Sequence, residues 1–212
     1  MGRFNKYGTK LDMIVRGAIE EMEKAEKAER EAKRDLDKYP DRAGNVSPDY
    51  AAHQARAKAN HIEAAAALKS ARQNAPEQAR QEMRELRGKL EAALFEGFAA
   101  RPDAVDMQAV ALLNSGILKP EEYVYLVREA LDNGNYTMAR MIGQAAEDEA
   151  KKTDSTEAAP VLRVAAMEGK KDFSAHYLRA FDDLVDIANR CLNNPAIADQ
   201  WGAFTRDTIE AF

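Results

Sequence analysis

One cysteine, Cys191, stands in the 212 residues, so an internal disulfide is excluded and a reducing compartment fits. No histidine lies near it in sequence, and it reads as a packed thiol rather than a nucleophile. There is no Gly-rich phosphate loop and no Gly-x-Ser-x-Gly elbow, which leaves nucleotide binding and hydrolase chemistry without their usual motifs. The three histidines do not cluster, His53 and His61 are eight apart, and no Glu-x-x-His pair exists, so neither a metal nor another cofactor is expected. The acid pairs Glu121-Glu122 and Asp182-Asp183 are adjacent residues that point apart on helices, hence solvated or capping rather than an acid/base dyad. A basic excess is missing too. The net charge of −5 and pI near 5.4 argue against nucleic acid as the main partner. No apolar run approaches the ~18 residues needed to cross a bilayer. The N-terminal Met1 to Lys6 lacks a signal-peptide core, and Lys6 stands where N-myristoylation requires Ser or Thr. No membrane association is expected, and a cytoplasmic location is.

What the chain has in quantity is Ala and charge, 45% hydrophobic and 32% charged residues, enough apolar material for a core in one or two domains. Two long helical segments run from about Thr9 to Ala100 around a break at Tyr39 to Ser47. Leu11, Val15, Ala18, Met22, Ala25, Glu29, Ala32, Leu36 and Tyr39 recur with the seven-residue period of a coiled-coil seam, interrupted once by Glu29. Thr9 and Asp12 have capping-box spacing, which predicts a helix from Lys10 to Lys38, ended by Tyr39-Pro40. Four Glu-to-Lys/Arg pairs at i, i+4 support this helix even where it buries little. A paired helix and a solvated single helix both fit the thin middle of the seam.

Pro40, Asp41, Gly44 and Asn45 are turn residues, and Ser47-Pro48 is an N-cap followed by proline at the first helical position. Folding back at this turn places Leu11 opposite Pro76. Two readings of Pro76 follow, a joint between a projecting hairpin and the rest, or a plain break between helices. Beyond it, Ala79, Met83, Leu86, Leu90, Ala93 and Leu94 form an apolar stripe with Phe98 at its edge. Arg80, Arg84 and Arg87 lie opposite with Glu77 and Glu91, a mixed-charge solvated face without the aromatic interleaving of a nucleic-acid site.

From Arg101-Pro102 the helices shorten. Asp103 with Asp106, Pro120, Asn135, Ser174 and Pro195 are expected to open helices; Asn114-Ser115-Gly116, Asn133-Gly134 and Gly169 close them. Tyr177, Phe181, Trp201 and Phe204 are candidate core. Nothing alternates with period two, so no sheet is expected. Gly134 and Gly169 lie 35 apart, close to a helical-repeat period, but their flanking aromatics differ in offset and ordinary hairpins fit better. The expectation is an all-α protein, with a long antiparallel hairpin over residues 1–100 jointed near Pro76, and a domain of short antiparallel helices over 101–212.

Leu112-Leu113-Asn114-Ser115-Gly116-Ile117-Leu118, Pro120-Glu121-Glu122-Tyr123 and Thr137-Met138-Ala139-Arg140-Met141-Ile142-Gly143 resemble a stretch in helical proteins carried by bacteriophages and prophages of Gram-positive bacteria. Where that pattern has Asn-Pro-Thr-Met, this chain has Asn135-Tyr136-Thr137-Met138. The resemblance implies a structural, scaffolding or accessory role, in the bacterial host or with the virion. With no catalytic motif, the expected function is non-enzymatic protein–protein interaction, with itself or another protein. Leu11, Val15, Met22, Leu36 and Tyr39 are the candidate surface. The alternative is a module that holds a peptide or small ligand between C-terminal hairpins.

Overall fold

The computed structural model describes residues 4–41, 44, 47–198, 200–203 and 205. The protein is all-α: eight helices and one 3-10 turn, with no strand among the described residues. The helices are α1 (Asn5–Leu36), α2 (Pro48–Phe98), α3 (Met107–Asn114), α4 (Pro120–Asp132), α5 (Tyr136–Lys152), α6 (Ala158–Gly169), α7 (Phe173–Asn193) and α8 (Pro195–Ala198), with the 3-10 turn at Pro102–Ala104. The chain divides into two compact units, Met1–Leu90 with Leu178–Phe212, and Glu91–Tyr177. This differs from the expected division at residue 100. The C-terminal part of α7 falls with the N-terminal helices, where Phe181, Leu184, Ala188 and Leu192 are all buried.

In the first unit, α1 begins at Asn5 and not at Lys10. The Thr9 hydroxyl donates back to the Asn5 carbonyl (3.2 Å), and Asp12 accepts from Arg16 and from Trp201, so neither residue caps. Helix α2 opens as expected, with the Tyr50 N–H donating to the Ser47 hydroxyl (3.2 Å). It then runs unbroken through Pro76. Its antiparallel register against α1 is marked by His61 beside Glu29 (3.2 Å) and by the Tyr7 hydroxyl donating to the Lys89 carbonyl (3.3 Å). Coverage by α1 therefore extends thirteen residues past Pro76, and Leu11 lies opposite the region of Leu86 rather than opposite the proline. Pro76 is buried and flanked by buried Ala71, Ala75 and Ala79. The same face of α2 is buried on both sides of the proline, so the lost hydrogen bond does not mark a change of packing partner.

Arg80 and Arg87, expected on a solvated face, reach α7 instead. Arg87 forms a two-point pair with Asp182 (Nε to Oδ1 2.7 Å, Nη2 to Oδ2 3.0 Å), and Arg80 donates to the side-chain amides of Asn189 and Asn193. Arg84 stays exposed beside Glu77. Trp201 is enclosed, with its indole N–H donating to Asp12 (2.9 Å). Phe204 and Asn45 lie outside the described residues. Cys191 is buried, and burial pushes its thiol pKa up, as suits a packed, unreactive thiol.

The second unit is built around α4, α5 and α6. Tyr123, Val127, Met138, Ile142, Ala146, Leu162, Ala165 and Ala166 form its core. A second cluster joins Phe98 to Tyr136 (4.6 Å between ring centres), Phe173 and Tyr177, pinned by Arg140 donating to the Phe98 carbonyl (2.6 Å). The two glycines that look alike in sequence act differently. Gly134 has φ +68° at the end of α4, a conformation that favours glycine. Gly169 has no positive φ; its Cα lies against the backbone of α5, and a Cβ there would sit 2.3 Å from the Ala139 carbonyl oxygen and 2.9 Å from the Gly143 Cα. Helices α5 and α6 thus cross backbone to backbone, which leaves no groove between them at that point. The α7 cap is Asp172 rather than Ser174, since its carboxylate accepts from the Ala175 N–H (3.1 Å) and from the Ser174 hydroxyl.

Tyr123 supplies a pH test of this core. Burial, and then the negative charge of Glu149, push its phenol pKa up from 10.0. A group whose folded pKa is raised contributes stability that is complete below its unfolded pKa and is lost as pH rises through the folded value. Urea midpoints should therefore fall above about pH 10, and Tyr123→Phe should fall less steeply over the same range. Parallel pH profiles for the two proteins would show that Tyr123 ionises no differently in the folded and unfolded chains.

Candidate interaction surface

Helix α3 is short because its sequence stops it at both ends. Asp106 caps it, its carboxylate accepting from the N–H groups of Gln108 (2.8 Å) and Ala109 (3.3 Å). At the other end Ser115 turns back on Leu112, and Gly116 takes φ +70°, which lets the chain leave the helix axis. Pro120 then opens α4, and the Lys119 N–H donates to the Glu122 carboxylate (2.6 Å). Between these stops stands Met-Gln-Ala-Val-Ala-Leu-Leu-Asn, six of its eight residues apolar. An apolar helix of this kind belongs inside a protein. Here it has no buried residue.

Its inner side, Ala109, Val110 and Leu113, rests half-buried against the core of the second unit. Its outer side, at helical spacing, is Met107, Ala111 and Leu112, and Ile117 follows just beyond the turn. Met107 and Ile117 are each 71% exposed and Leu112 36%. The surface is framed by acids: Asp103 and Asp106 precede it, and Glu121 and Glu122 follow it. All four are exposed, and none is in an ion pair among the described residues. Lys119 is the one base between residues 102 and 125.

The surface expected on the first helix is corrected for three of its five residues. Leu11 and Val15 are fully enclosed and Met22 is buried, all within the first unit, so these side chains fill the chain's own core. Leu36 and Tyr39 are half-buried. The Tyr39 ring packs edge-on to Tyr50 (5.7 Å) and stacks on His53 (5.8 Å), and its carbonyl accepts from Gln54. It closes the turn between α1 and α2. Further along α1 an open groove of ≈ 450 Å³ has mixed charge, with Glu26 already paired to Arg30 and near Arg72. No three His, Cys, Asp or Glu side chains among the described residues are placed to hold a metal ion.

No protein-family model, curated protein or solved structure matches this chain. The reading of the surface therefore rests on its geometry. The signal that marks it was present in sequence: residues 107–118 lack the polar face that every other short helix of the second unit carries, and residues of this stretch also bear the phage resemblance. Burial alone separates an apolar helix that is covered from one that is not. No described helix is long and apolar enough to cross a membrane, so the exposed face of α3 is not part of a span.

Proposed function

We propose that this chain is a non-enzymatic interaction protein that binds another protein through the outer face of α3 and Ile117. A structural or accessory role in a phage or prophage, as the resemblance of residues 112–143 implies, accords with such a surface. One observation carries the reading: an apolar helix held in place by caps at both ends, with no buried residue of its own. Apolar patches of this type on soluble proteins mark contact sites.

A photo-crosslinking residue placed at Met107 or Ile117 tests it, with the same residue at exposed Met13 and Ile62 as controls. In the cells that make the protein, discrete adducts are expected from positions 107 and 117 and not from 13 and 62. Equal adducts from all four positions, or none from the first two, would overturn the reading. Leu112→Ser with Ile117→Ser should leave the urea midpoint close to that of the parent, since neither side chain is buried.

A further inference from the structure

We infer that the occupant of the α3 surface is a basic amphipathic helix of a partner protein. The inference rests on the proposed function and adds the chemistry of the partner. Its first ground is charge. Asp103 and Asp106 precede the apolar face in the chain and Glu121 and Glu122 follow it, all exposed and without ion-pair partners among the described residues. Asp106 and Glu122 accept from backbone N–H groups, which fixes both side chains in place. A partner with Lys or Arg flanking its apolar residues meets this frame with opposite charge.

The same frame argues against two other occupants. A second copy docked through this face about a two-fold axis would set acid against acid. An anionic membrane surface would be repelled for the same reason. The second ground is shape. Among the described residues there is no strand edge to which an extended segment could add, so its backbone groups would remain unpaired on an apolar face. A helix satisfies its own backbone and offers a ridge of side chains to the ridge formed by Met107, Ala111 and Leu112.

The experiment uses the full chain and fluorescein-labelled peptides of about five helical turns, one with Leu and Lys at amphipathic spacing and one with Glu in place of Lys. Fluorescence anisotropy should show binding of the Leu/Lys peptide only, weakening about tenfold between roughly 50 and 300 mM salt. Leu112→Ser with Ile117→Ser should weaken it about tenfold or more. Asp103→Asn with Glu121→Gln should weaken it and flatten its salt dependence, whereas Met13→Ser with Ile62→Ser should change nothing. Equal binding of the Leu/Glu peptide, lost on Leu112→Ser with Ile117→Ser, would overturn the basic partner and leave the docking surface standing. Leu/Lys binding that Leu112→Ser with Ile117→Ser does not alter would overturn both. A doubled mass in light scattering that the same double variant abolishes would identify the occupant as a second copy, and so overturn the inference.

Discussion

Gly169→Ala should destabilise the protein by about 1–3 kcal/mol or more, although it adds one methyl group to a helix. The added Cβ would lie 2.3 Å from the Ala139 carbonyl oxygen and within 3.1 Å of the backbone of Gly143, and these neighbours are main chain rather than flexible side-chain ends. Relief requires α5 and α6 to move apart, which opens the core around Ile142, Ala165 and Ala166. Gly88→Ala is the control. Gly88 lies inside α2 with nothing within 4 Å of its would-be Cβ, so there the same change should stabilise by about 0.5–1 kcal/mol through helix propensity. Urea unfolding followed by circular dichroism measures both. A Gly169→Ala variant that is stabilised as Gly88→Ala is would show that the helix crossing is not close-packed.

Trp201→Ala should have the larger effect, about 3–5 kcal/mol. Trp201 is the largest fully buried side chain, and its indole N–H ends on Asp12, 189 residues away. Truncation removes the ring from the core and leaves a cavity in its place. Trp201→Phe keeps most of the volume and loses the hydrogen bond, and about 1 kcal/mol is expected for that. Trp201→Ala within about 1 kcal/mol of the parent would mean that the Trp201 ring does not help hold the first unit together.

These two positions mark the limits of what was legible in the sequence. Helix ends were legible because their chemistry is local. Ser47-Pro48, Asp106, Pro120 and Asn135 each begin a helix where their side chains predict, and Gly116 and Gly134 take the positive φ that ends one. The seven-residue period on α1 was legible too, and Leu11, Val15, Ala18 and Met22 all point one way. What they point toward was not. A period states which residues share a face but not what covers it, so the large residues assigned to a partner turned out to face the chain's own core. Arg87 with Asp182, Trp201 with Asp12 and Gly169 against Gly143 join residues with no shared local pattern. The interaction surface was half legible. The apolar run was plain in the sequence, but only the folded chain shows it uncovered.

The first unit is assembled from two separated pieces of chain, Met1–Leu90 and Leu178–Phe212, with the whole of the second unit between them. During synthesis the second unit leaves the ribosome uninterrupted, and its local helix pairs can form at once. The first unit must wait. Until Asp182 and Trp201 have emerged, the Arg87–Asp182 and Trp201–Asp12 contacts cannot form, and a nascent chain halted near Tyr177 holds a finished second unit beside an unfinished first one.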